Sequence, residues 1–276
     1  MRLTTKIISV AILSTFLISI ALIAGFSFTD RKNYRYSDAN IIDLPQDNMT
    51  GIELTSFKTI LIDEIPFESN NNKGTHLSNE CNIFFDSHPA ISGQDMLFIP
   101  DELKNFISLY TSDDTLTVKL NLNDLDKKYR NEDHKYLSFS GVNMYFNISN
   151  FDIINKIQSL TVNIKNIETD IIKVSSSGNI LIDSCNVLLI DPFLKVGHKR
   201  LKITNCNVKR INLDLDNLHN RNIENCNIEE EYYTGTGYNE INFRGSDSGS
   251  KYWVPKNKNA ELRVRFQSDS AKIIIF

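Results

Sequence analysis

The stretches ILIDSCNV (180–187), LKITNCNV (201–208) and RNIENCNI (221–228) are near-copies of one another. Their cysteines, Cys185, Cys206 and Cys226, follow at intervals of 21 and 20 residues. A repeat of about 20 residues in strand-forming sequence predicts stacked turns of chain, none of which can bury its apolar side alone. Working outward, apolar-alternating starts recur at Leu116, Leu137, Leu160, Ile180, Leu201 and Arg221, with weaker ones at Ile241 and Leu262. At about 4.8 Å per turn such a stack is roughly 34 Å long.

Parity locates the corners. From Leu201, apolar residues fall on odd numbers (Leu201, Ile203), then on even (Cys206, Val208), then on odd again (Ile211, Leu213, Leu215). A strand cannot change parity without a bend or a bulge. Corners are therefore expected near Asn205 and near Lys209–Arg210, giving three short faces per coil. The turn from Ile180 repeats the pattern, whereas the one from Leu160 carries Lys165 where a cysteine is expected. Asn186, Asn207 and Asn227 would lie one above another, where amide ladders fix register. The fold class expected is all-β: a parallel, right-handed β-helix or solenoid with coils of about 20–21 residues, preceded by an N-terminal transmembrane helix.

That helix is read from residues 7–28, an uncharged and mostly apolar run between Lys6 and Asp30. As a helix it would rise about 33 Å, enough to cross a bilayer core of about 30 Å. The run is longer than the roughly 7–15 apolar residues of a cleaved signal peptide, so an uncleaved anchor is favoured. Positive charges flank both ends (Arg2 and Lys6; Arg31, Lys32 and Arg35), so charge does not orient it. The large domain is placed outside the cytoplasm, in the periplasm or on the cell surface, as is usual for an extreme N-terminal anchor. The division expected is 1–28 anchor, 29–50 polar linker and 51–276 β-domain, with regular coils over about 116–265 and a cap over about 232–276. Strands are expected at 57–63 and 81–85, a loop at 69–80, and a short helix at 101–110 with a strand as the alternative for its second half.

The 276 residues are 41% hydrophobic and 23% charged, which suits a folded protein. Net charge is −4, so no basic excess exists to grip nucleic acid. Three of four cysteines share one register and point the same way, which reads as small apolar groups filling equivalent core sites. Cys81 stands apart. Ligands spaced by a coil repeat lie in a line, unlike a tetrahedral zinc site. The five histidines form neither H-x-H nor H-E-x-x-H, and there is no G-x-S-x-G or phosphate-binding glycine loop. No metal or cofactor is expected.

Two features carry chemistry. Asp214 and Asp216 lie two apart on one outward face, a spacing compatible with acid–base glycoside cleavage or calcium. Exposed acids are, however, usually only solvated. Tyr232, Tyr233, Tyr238, Tyr252 and Trp253 gather near the C-terminus, where they could stack on sugars or pack a cap. Asp214, Asp216, Tyr252 and Trp253 are thus the candidate ligand-binding residues; no catalytic residue is assigned.

The layout of FKTILID (57–63), DDTLTVKL (113–120) and the recurring L-x-I-x-x-x-N-V runs resembles the auto-transporter adhesin head GIN domain family of Bacteroidetes cell envelopes. The resemblance covers about residues 51–265; the chain departs from it in its high Asn and Cys content and Gly-poor loops. It implies an extracytoplasmic fold without catalytic residues. The expected function is a membrane-anchored, adhesin-like, non-catalytic binding or envelope-structural protein, not an enzyme. Its partners would be the membrane, through the N-terminal helix, and surface glycans or envelope proteins. The alternative is a carbohydrate-active enzyme using its surface carboxylates.

Overall fold

A left-handed residue stands before each repeated cysteine. Ser184, Asn205 and Asn225 have φ of 55°, 54° and 55° in the computed structural model, and Asn166 one turn earlier has 54°. Asn and Ser tolerate this conformation better than bulky residues because their short polar side chains bond locally. Asn205 also ties its corner to the preceding turn, its amide donating to Asp183 Oδ1 at 2.9 Å. This corner recurs once per turn and sets the path of the chain.

The structure describes residues 39–67, 74–78, 80–86, 94–131, 136–149, 151–195, 198–218, 220–243, 249–266 and 272–275. In chain order the first strands are β1 (Ala39–Asp43), β2 (Met49–Glu53), β3 (Thr59–Ile65), β4 (Gly74–Leu77), β5 (Asn82–Asp86) and β6 (Met96–Pro100). Then come β7 (Ile107–Ser112), β8 (Thr115–Asn121), helix α1 (Leu122–Tyr129), β9 (Tyr136–Ser140), β10 (Asn143–Asn147) and β11 (Asp152–Asn155). The repeat comprises β12 (Thr161–Lys165), β13 (Glu168–Ser176), β14 (Ile180–Asp183), β15 (Asn186–Leu194), β16 (Arg200–Thr204), β17 (Asn207–Asp214), β18 (Asn220–Glu224) and β19 (Asn227–Gly235). The last are β20 (Tyr238–Phe243), β21 (Ser250–Pro255), β22 (Glu261–Phe266) and β23 (Lys272–Ile275).

These strands correct the expected architecture. They form four sheets rather than one solenoid: an eight-stranded sheet (β18-β16-β14-β12-β5-β10-β6-β2), a ten-stranded sheet (β23-β21-β19-β17-β15-β13-β11-β3-β8-β7), and smaller ones of three and two strands. Antiparallel pairs β2·β6, β6·β10 and β7·β8 interrupt the parallel order. Within the repeat each turn gives one strand to each large sheet, so it has two faces and not three. The second parity change, at Lys209–Arg210, is a kink inside β17: Val208 and Ile211 are both buried while Lys209 and Arg210 between them face outward. The same kink recurs in β15 and β19, so register is kept across it. Among the described residues no helix is long and apolar enough to cross a membrane. The anchor expected at 7–28 lies outside them.

Register also differs at the first turn. Val162, not Leu160, pairs with Ile180, which in turn pairs with Leu201. Ile167 consequently holds the position of the cysteines, as the backbone bonds Asn186 N to Ile167 O (2.9 Å) and Asn207 N to Cys185 O (2.8 Å) show. Lys165 is an exposed partner of Asp183. Strand β1 falls inside the stretch read as a spacer. The expected helix at 101–110 is a single 3-10 turn at Asp101–Leu103 followed by β7; the α-helix lies at α1, capped by Asn121. Asp113 and Asp114, both with positive φ, make the primed hairpin turn between β7 and β8.

The two large sheets share one apolar core that includes Ile180, Ile182, Leu201 and Ile203 from one side and Val187, Ile190, Val208 and Ile211 from the other. The cysteines stand in a column within it. Cys185 N donates to Cys206 Sγ at 3.4 Å, and the thiols of Cys185, Cys206 and Cys226 bond to carbonyls of the preceding strands. All four cysteines are free. The hydrogen bond with Cys185 pushes the Cys206 thiol up to about 11, so it stays protonated and unreactive at neutral pH. The asparagine ladder is present: Asn207 Nδ2 donates to Asn186 Oδ1 (3.3 Å) and Asn227 Nδ2 to Asn207 Oδ1 (2.9 Å). Gly178 closes a corner so tightly that a Cβ there would lie 1.8 Å from Leu160 O.

Candidate functional site

The outward side chains of the ten-stranded sheet form the best candidate surface. Alternation along β13, β15 and β17 turns Lys173, Ser175, Asp191, Phe193, Asn212 and Asp214 away from the core. Parallel register sets Lys173 opposite Asp191 and Ser175 opposite Phe193. Together with Asp152 on β11 they line a shallow groove of about 380 Å³. Lys173 Nζ lies 3.8 Å from Asp152 Oδ2. Phe193 is 38% exposed, a large apolar ring set among polar groups. The groove therefore offers carboxylates, an amide, an ammonium and one aromatic face along a single sheet surface.

Asp214 borders this groove, and the structure brings Asp216 to it through one lysine. Lys256 Nζ stands 2.6 Å from Asp214 Oδ1 and 3.1 Å from Asp216 Oδ2. Asp214 also accepts from Asn217 Nδ2 (2.7 Å), and Asp216 accepts from the Thr236 amide (2.9 Å). Burial opposes the charge on Asp216, yet the Thr236 amide and the Lys256 ammonium outweigh it and hold its carboxyl below the usual range. A general acid needs the opposite shift. Asp216 is suited to remaining ionised and to holding a lysine.

Tyr252 and Trp253 diverge, as neighbours on a strand do. Tyr252 is half-buried on the outer face, its ring stacked on Tyr232 at 4.5 Å and 15°. The Arg210 guanidinium lies 3.7 Å from the Tyr232 ring centroid. Arg210 comes from β17 and Tyr252 from β21, the two strands flanking β19, so the Tyr232 ring is enclosed by cation–π and stacking contacts. Trp253 is 7% exposed and packs in the core. It is not brought to the groove. Phe193, Asp152 and Asp191 escaped the sequence reading. Phe193 follows Pro192 in an odd-even alternation that places it outward, and that parity was the available signal.

A second depression, of about 420 Å³, lies on the outer side of the eight-stranded sheet between Asn163, Lys165, Lys202, Thr204 and Glu224. Asp183 borders it, its carboxyl lowered chiefly by the Thr204 hydroxyl at 2.7 Å. Thr204 and Asn205 both bond to Asp183 across strands. Among the described residues no three His, Cys, Asp or Glu side chains gather to hold a metal ion.

No family model matches the chain, and no curated protein matches it. Solved structures do. One, described as a "putative adhesin" from Bacteroides fragilis, is 15% identical over 82% of this chain and 96% of its own, with a TM-score of 0.47. Another "putative adhesin", from Parabacteroides merdae, is 11% identical over 86% and 97% at 0.36. A "putative lipid binding protein" from Parabacteroides distasonis is 12% identical over 86% and 100%, also at 0.36. Likeness at these values does not carry a function to this chain.

Proposed function

We propose that the chain is an extracytoplasmic, non-catalytic binding protein of adhesin type, and that the outer face of the ten-stranded sheet takes a surface glycan. The observation that carries this reading is the groove around Phe193. Sugars present an apolar ring face and a rim of hydroxyls; Phe193 suits the first, and Asp152, Asp191, Asn212 and Asp214 suit the second. The Thr236 amide and the Lys256 ammonium keep Asp216 ionised, which supports a role without turnover, since that carboxyl then has no proton to give a leaving group. The apolar run at 7–28 in the sequence supports delivery across a membrane.

The test is a glycan array probed with the purified chain, followed by titration of each hit. Phe193→Ala is expected to weaken binding at least tenfold, and Asp191→Asn several-fold, with the fold intact by circular dichroism. Hits that bind both variants as well as the parent chain would remove the groove from the account. Release of reducing ends from a polysaccharide panel would replace binding by catalysis.

A further inference from the structure

One interior column changes its chemistry abruptly. Ile172 pairs with Ile190, and Ile190 with Ile211. Ile211 then pairs with Glu231, and Glu231 with Lys251 on the next strand. The ladder of isoleucines is thus interrupted by a carboxylate and an amine side by side in the core. Glu231 is 7% exposed and Lys251 2%. Lys251 Nζ is hydrogen-bonded to Glu231 Oε1, and the buried Tyr233 hydroxyl donates to Glu231 Oε2. Arg221, which follows Leu201 in the facing sheet, bonds to Leu218 O at 3.2 Å and acts electrostatically on Glu231 and Tyr233.

We propose that Glu231 and Lys251 condense to an internal amide that joins β19 to β21. The reaction needs no co-reactant. The Cδ–Nζ bond forms as the Cδ–Oε2 bond breaks, and Oε2 leaves as water with two protons from the ammonium. One of these passes through the Tyr233 hydroxyl, which gives its proton to Oε2 and regains one from nitrogen. Carboxylate plus ammonium becomes amide plus water, with no change in oxidation state.

Two physical effects favour it. In bulk water both ions are strongly solvated, which opposes condensation. In the core that solvation is gone and the ions are costly, while the amide is neutral and the released water returns to solvent. Paired strands also hold amine and carboxyl in contact, and intramolecular reactants so placed reach effective concentrations of about 10⁵–10⁸ M. The product would clamp β21, which carries β23 beyond it at the end of the sheet. This inference is independent of what the outer face binds.

The test is the intact mass of the full-length chain after denaturation, with tryptic mapping. The expected mass is lower than that of the sequence by one water. Trypsin is expected to yield a branched product in which 222–244 is joined to 245–256, with Lys251 uncleaved. Lys251→Met and Glu231→Ala should each restore the full sequence mass, and Tyr233→Phe should leave a mixture in freshly made protein. A parent chain of unmodified mass, fresh or aged, overturns the proposal. So does a missing water that persists in Lys251→Met or maps to other peptides.

Discussion

The turn beginning at Leu201 and the turn beginning at Arg221 are adjacent, alike in backbone and opposite in their interiors. Both bend at a left-handed asparagine, Asn205 and Asn225, and both carry a cysteine at the next position. Their outer asparagines, Asn207 and Asn227, bond to each other. Yet the first turn buries Leu201, Ile211 and Leu213, while the second presents Arg221, Glu231 and Tyr233 at the paired positions. The chain path is therefore set by the corners and the asparagine ladder. The interior can change its chemistry from one turn to the next, provided each buried polar group finds a partner.

The sharpest way to break this contrast is to remove one half of the buried pair. Lys251→Met removes the amide and leaves a bare Glu231 carboxylate in the core, and a loss of at least about 3–5 kcal/mol is expected in urea unfolding. Replacing both, with Glu231→Leu added, should recover most of that loss although the cross-link is gone, because no charge is then left buried and this turn resembles the one before it. If the double variant stays as weak as the single one, the two turns are not interchangeable frameworks. In the apolar turn the matching deletion is Ile211→Ala. It opens a cavity beneath an unchanged backbone, and a cost of about 2–5 kcal/mol is expected, with the asparagine ladder retained.

The corners test the other half of the argument. Asn205→Ala puts a Cβ-bearing residue without local bonding into a left-handed position and removes the bond to Asp183, so a loss of about 1–2 kcal/mol is expected. Asn205→Gly should cost less, since glycine adopts that φ freely. Equal losses for the two would mean that the bond to Asp183, and not the backbone, holds the corner.

The sequence announced these corners because a repeat displays them several times over. Parity placed one at Asn205, the cysteine column followed from spacing, and the ladder followed from Asn186, Asn207 and Asn227. Legibility failed where one signal has two physical outcomes. A parity change can be a corner or a kink, and only hydrogen bonding between whole strands decides; hence β17 runs on through Lys209–Arg210. Leu116, Leu137 and Leu160 look like further repeats, yet the antiparallel pairing of β7 with β8 leaves no periodic mark in either strand. At the site, Asp214 and Asp216 were visible as neighbours, but Lys256, forty residues away from Asp216, was not. The groove around Phe193 draws on β11, β13, β15 and β17 at once, and no local spacing encodes that. The polar interior at Glu231 and Lys251 passed unseen because an acidic run, EEE, reads as solvated surface unless register puts its last member under an isoleucine.

The smallest effect concerns the corner that closes the ten-stranded side, where Asp216 holds the amide of Thr236 and the Lys256 ammonium. Its carboxyl is lowered from an ordinary 3.8, so the folded state binds that proton less readily than the unfolded one. Stability from this group is then fully present above the ordinary value and is lost as pH falls through the lower, folded one. The side chain is partly exposed, so solvent screens the contribution to about 0.2–1 kcal/mol. Asp216→Asn is expected to unfold slightly more easily at neutral pH and to match the parent in strong acid. The measurement is a series of urea midpoints from neutral pH down to below the carboxylate range. A difference that persists unchanged at the acid end would assign the Asp216 contribution to its hydrogen-bond geometry, and this corner would then behave like Asn205, as a fixture of the backbone path rather than of charge.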